Sequence, residues 1–145
     1  MIKFYEEDVR SKLNHRKKIK EWIELIIRSY DRSLGDISYI FCSDERILEI
    51  NKQFLQHDYY TDVITFDYDE GLVTSGDIFI SVDTVKSNSQ IYSSSYNAEL
   101  YRVIIHGVLH LCGLKDKSEA DEKKMRAAED KALNFLRKDL LVDDF

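Results

Sequence analysis

Two histidines four residues apart inside an apolar run, His106 and His110, constrain this chain more than any other feature. Leu100, Val103, Ile104, Ile105, Val108, Leu109 and Leu111 surround them, apolar nearly all round, which predicts a buried central helix opening near Asn97 with Glu99 in its first turn. Side chains four apart on a helix leave the same face one turn apart, so both imidazoles are offered to one point. Gly113 suits the left-handed residue that ends a helix, and Asp116 follows as the chain doubles back. The pattern H-x3-H-x5-D therefore describes three metal ligands, His106, His110 and Asp116, with a fourth position left open for water, the build of a catalytic centre. A lone histidine on an apolar helix reads as a satisfied core residue, but this pair with its glycine and carboxylate reads as a metal site. Cys112 lies two residues past His110 and faces away from that side, so it is not counted as a ligand.

Neutral imidazoles and a carboxylate suit zinc best, with nickel or manganese as other divalent candidates. Zinc peptidases of the H-E-x-x-H type carry a glutamate directly after the first histidine as general base. Here that position is Gly107. The spacing thus argues for hydrolysis driven by the metal and its water, and against a peptidase.

A chain of 145 residues, 43% hydrophobic and 33% charged, has the size of one domain spanning 1–145 with a real core. No apolar run approaches a membrane span, and the start MIKFYEEDVR lacks the basic-then-apolar build of a signal peptide, which predicts a cytoplasmic protein with no membrane partner. Two cysteines, Cys42 and Cys112, fit a reducing compartment. A net charge of -6 argues against broad nucleic-acid binding and leaves room only for a local basic face. Two basic clusters stand out. One is His15 to Lys20, which reads as a solvated helix face; the other, Arg102, Lys115, Lys117, Lys123, Lys124 and Arg126, flanks the metal motif.

Along the chain, Ile2 to Glu6 reads as a short strand and Lys12 to Tyr30 as an amphipathic helix anchored by Trp22. Ile37 to Cys42 reads as a strand, followed by a short helix capped by Ser43 or Asp44 and running out near Leu55. Val63 to Phe66 and Ile78 to Val82 form a hairpin around a loop from Asp67 to Thr74. Thr84 to Ser95 reads as a loosely amphipathic helix leading into a loop. Ser118 and Asp121 open a last helix, and the tail LLVDDF is expected to be frayed or lightly docked. The sum is an α/β (α+β) fold: a small mixed sheet of about four strands packed with four or five helices.

The stretch from His106 to Asp116 resembles the signature H-G-x-L-H-L-x-G-Y-D-H of the YbeY family of bacterial metal-dependent endoribonucleases. His106, Gly107, Leu109, His110, Leu111 and Gly113 match, Leu114 replaces the tyrosine, and Asp116 stands where the third histidine belongs. Asn51, Phe54, Asp58, Thr61, Asp62, Val63, Thr65, Phe66, Gly76, Asp77 and Ile78 fit a second family pattern, in which Tyr60 replaces a proline and Leu55 an arginine thought to act in RNA cleavage. The resemblance implies the same architecture, and the donor set calls for one zinc per chain. The resemblance further implies single-stranded RNA as substrate, in particular the precursor 3′ end of 16S rRNA, with the ribosomal small subunit and its proteins as partners and no DNA. With Leu55 at the arginine position, His57, Arg102 and Lys115 are the candidates for holding the phosphate. Two other readings remain at this level: a ribosome assembly factor whose metal is mainly structural, favoured by Leu55, and a metallopeptidase, disfavoured by Gly107.

Overall fold

In the computed structural model, which describes residues 1–55 and 62–145, nine elements follow one another along the chain. They are β1 (Ile2–Glu6), α1 (Arg16–Ser29), β2 (Ser33–Cys42), α2 (Asp44–Phe54), β3 (Val63–Asp67), β4 (Val73–Ser81), α3 (Val82–Ile91), α4 (Tyr96–Leu111) and α5 (Glu119–Lys138). The strands form one mixed sheet in the order β1-β2-β4-β3. The β1-β2 and β2-β4 pairs are parallel, and β3 runs antiparallel to β4 as the edge. The α/β class, the mixed sheet and the β3-β4 hairpin are as the sequence predicts.

Strand alternation divides the apolar side chains between two faces. Ile37, Tyr39 and Phe41 of β2 and Ile78 and Ile80 of β4 join the main core with α1, α4 and α5. Cys42 and Ile64 turn the other way and pack with Ile47 and Ile50 of α2. Trp22 is fully buried and donates its indole N–H to the Ala132 carbonyl at 2.9 Å, joining α1 to α5.

The bounds differ from the sequence reading in ways that have local causes. α1 begins at Arg16 rather than Lys12, because Leu13 is buried in the core ahead of it and His15 takes a left-handed conformation at the N-cap. β2 begins four residues early, at Ser33, through a register irregularity between Leu34 and Ile37. β4 likewise begins at Val73, because Gly71 sits at positive φ and Glu70 bridges to Val73, tightening the hairpin loop. Val82 opens α3 instead of ending β4, since the Ser81 hydroxyl accepts the Thr84 N–H as an N-cap. The tail is docked, not frayed. Val142 is buried, Tyr101 donates its hydroxyl to Asp144 at 2.9 Å, and the Phe145 ring meets Tyr101 edge-on.

α4 lies against the sheet so closely that a Cβ at Gly107 would stand 2.9 Å from Ile78 Cγ2. Gly107→Ala would gain about 1 kcal/mol of helix propensity but meet an overpacking cost of about 1–3 kcal/mol. The expected outcome is a net loss of about 1 kcal/mol, read as a lowered urea midpoint at unchanged slope; a raised midpoint would show that Ile78 yields freely.

Candidate metal centre

Between Tyr101 and His110 the helix α4 is buried at every position except Arg102, His106 and His110. These stand at i, i+4 and i+8, so the apolar core fixes which stripe of the helix is left to face the cleft. Past Leu111 the Gly113 N–H bonds the His110 carbonyl at 3.0 Å and the Leu114 N–H bonds that of Leu109 at 3.1 Å, with Gly113 at φ 103. This helix-ending turn, which the left-handed glycine permits, brings Asp116 back over the pair.

The three predicted ligands meet. His106 Nε2 lies 3.4 Å from Asp116 Oδ2, and His110 Nε2 lies 3.5 Å from Asp116 Oδ1. All three donor atoms fall within 4.8 Å of one another, the one such group among the described residues. A tetrahedral ion with bonds of about 2.0–2.1 Å has ligand-to-ligand edges of roughly 3.3–3.4 Å, and each histidine approaches one oxygen of Asp116 near that distance, a donor set whose chemistry suits a zinc-sized ion. Asp62, Val63 and Thr65 at the start of β3 line the other side of the same cavity, about 220 Å³.

Behind the pair stands Glu129 of α5, buried, with Oε2 2.7 Å from His106 Nδ1. A carboxylate there accepts, so Nδ1 carries the proton and Nε2 presents its lone pair to the metal position. Arg102 grips Glu129 Oε1 at 2.8 Å and Asp130 at 2.7 Å. Burial by itself would push the His106 imidazole down, but the Glu129 hydrogen bond and charge, with Asp62 and Asp116, hold it above its ordinary value.

Of the phosphate candidates, Arg102 lies beside the cleft with its guanidinium committed to two carboxylates. Lys115 is exposed next to Asp116. His57 falls outside the described residues. Leu55 is exposed at the C-cap of α2. Cys112 points elsewhere: burial pushes its thiol up to about 11, with Arg32 and Thr74 as neighbours. Arg16 and Lys20 of the first basic run lie over the Phe4 ring.

Three acidic groups of the site escape the sequence reading. Glu129 had a signal, because it stands four residues after Met125 and four before Leu133 in the apolar stripe of α5. Asp62 was marked only by its match to the second family pattern, and Glu99 only by its place in the first turn of α4. Burial raises the carboxyl of Asp62, only partly offset by His106. Burial also raises that of Glu99, to which Asp62 adds and which Arg102 and Arg126 oppose. Ionised Glu99 therefore costs the folded chain stability that grows as pH rises through the carboxylate range and is relieved below it. Glu99→Gln is expected to raise stability at neutral pH by on the order of 1 kcal/mol, with the gain vanishing in acid, as urea titrations at two pH values would read.

A protein-family model described as Endoribonuclease YbeY matches residues 2–137. Among curated relatives, the endoribonuclease YbeY of Parabacteroides distasonis is 52% identical over 135 residues, covering 93% of this chain and 95% of the relative. That of Phocaeicola vulgatus is 53% identical over 136 residues, covering 94% and 99%. A Thermotoga maritima protein solved in solution is similar over 99% of this chain and 97% of its own, at 27% identity and a TM-score of 0.63.

Proposed function

The chain belongs to the YbeY family of endoribonucleases, and from that membership we propose that it is a metal-dependent endoribonuclease acting on single-stranded RNA. The observation that carries the reading is the convergence of His106, His110 and Asp116 with Glu129 behind His106. We assign zinc to the three donors on their chemistry, the 16S rRNA precursor 3′ end as substrate, the ribosomal small subunit as the setting and the cytoplasm as the compartment. Residues 1–145 act as one domain in this reading. No helix among the described residues is long and apolar enough to cross a membrane.

When bound, zinc supplies Lewis-acid polarisation of a phosphoryl oxygen and acidification of a water. The protein's part is positioning. His106 and His110 present Nε2 atoms from a helix that the core holds rigid, and the turn at Gly113 places Asp116. Glu129 keeps the His106 proton on Nδ1, and Arg102 keeps Glu129 in place. Asp62 lines the same cavity and serves to orient a water or a substrate hydroxyl beside the ligands. An anionic third ligand makes the site one charge less positive than three histidines would. Lys115 and Lys117, exposed on either side of Asp116, return positive potential toward a phosphate. Replacing both by Gln is expected to flatten the salt dependence of RNA binding by about 1.4 in log–log slope, two contacts at roughly 0.7 each on single strands. An unchanged slope would remove these lysines from the RNA path.

The deciding experiment compares zinc-stripped and zinc-reconstituted protein on a labelled single-stranded RNA. Cutting only by the reconstituted protein supports the nuclease. Leu55, in place of the family's arginine, favours a second reading, an assembly factor with a structural metal. Absence of cutting by folded, stoichiometrically metallated protein would establish that alternative over the first.

A further inference from the structure

From the metal pair the cleft continues along the groove between α4 and α5, away from Asp116. A cavity of about 180 Å³ joins His106 and Asp62 to Glu99 and Tyr92. It opens into one of about 390 Å³ that shares Glu99, Tyr92, Arg102 and Arg126 and reaches Arg137. The larger cavity is within the range of small-ligand pockets, about 300–1,000 Å³.

Glu99 lines both cavities and is only 8% exposed, and its carboxylate makes no hydrogen bond or ion pair to any described residue. Its oxygens open onto the cavity, and a carboxylate this enclosed with no donor among the described residues accepts hydrogen bonds from whatever enters the groove. Three kinds of occupant are conceivable, and the geometry separates them. A second metal is disfavoured, since the carboxylates of Asp62, Glu99 and Glu129 do not converge as His106, His110 and Asp116 do, and two arginines face the same space. Proton transfer to the cleaved bond is disfavoured too. Glu99 lies seven residues before His106, about 10 Å along the helix axis, beyond direct reach of the phosphate held at the metal. What remains is a neutral hydrogen-bond donor on an adjoining part of the substrate. Tyr92, exposed at the mouth, offers a ring for a base to stack on, and exposed Arg126 offers a cation for the backbone.

We propose that this groove is a base-reading subsite, in which the Glu99 carboxylate accepts hydrogen bonds from the Watson–Crick edge of a guanine next to, or one removed from, the cleaved nucleotide. Guanine alone offers adjacent imino and amino donors to both carboxylate oxygens. Adenine and cytosine place an acceptor beside their single amino group, and uracil flanks its imino group with carbonyls. The inference rests on the endoribonuclease reading and extends it to sequence preference.

The test uses zinc-loaded full-length protein with labelled uridine octamers carrying one guanosine, adenosine or cytidine, reading anisotropy and initial cleavage rate on the same oligonucleotides. Expected is a preference of about ten-fold or more for the guanosine octamers. Glu99→Gln should collapse that preference and move it toward adenosine and cytidine, whose amino group and adjacent ring nitrogen match an amide. A merely structural role for Glu99 would alter all octamers alike and move no ratio. Equal binding and cutting of all octamers by the unmodified protein overturns the subsite while leaving the nuclease intact. Selective binding without cutting upholds the subsite and overturns the nuclease. Failure to bind any octamer overturns both.

Discussion

His110→Ala is expected to lower zinc-dependent cleavage of single-stranded RNA by about a thousand-fold or more, because it leaves two ligands where a catalytic zinc needs three. The variant should fold. His110 is on the cleft-facing stripe of α4 with its side chain 34% exposed, so truncation opens no core cavity, and the surrounding packing of Val108, Leu109 and Leu111 is untouched. Bound zinc per chain and the thermal midpoint, measured beside the rate, separate loss of the ion from loss of the fold. If the variant kept both its zinc and its rate, His110 would have no place among the ligands.

Glu129→Ala is expected to weaken zinc binding by about 10- to 100-fold, although Glu129 touches no metal position itself. It removes the acceptor at His106 Nδ1, freeing the imidazole to rotate and to change tautomer. It also takes one of two partners from Arg102, which is 19% exposed; breaking a buried pair costs about 3–5 kcal/mol, and retention of Asp130 keeps this loss below that range. Glu129→Gln restores an acceptor without the charge and should recover part of the zinc affinity. Competition against a chromophoric chelator reads both variants. Full affinity in the alanine variant would mean that packing of α4 alone orients His106.

The candidate metal donors were legible in the sequence because their spacing is local. His106 and His110 are one turn apart on a helix whose apolar run names it, and the turn that returns Asp116 depends on Gly113 three residues earlier. The capped starts of α2 and α5 were legible for the same reason, Ser43 and Ser118 each accepting the N–H three residues on. The extents of β2 and β4 were not, since Ser33 and Leu34 join the sheet only by pairing with Val73 and Thr74, ahead of a register shift at Gly35 and Asp36, residues of weak β propensity. Nor could the tail be placed, because Val142 and Asp144 find partners more than forty residues back on α4 or deep in the core.

By itself, then, the sequence determined the α/β class, the family resemblance, the buried central helix and the three donors it brings to one point, all consequences of period and neighbouring residues. Only the tertiary structure decided what surrounds them. It seated Glu129 of α5 behind His106, committed Arg102 to Glu129 and Asp130, brought Asp62 across from the edge strand, and left Glu99 buried without a described partner. These contacts join residues 23 to 28 positions apart, or helix to sheet, and α4 and α5 choose their facing side chains by how their apolar stripes pack. Local spacing does not encode that choice, because it arises only when the two helices meet.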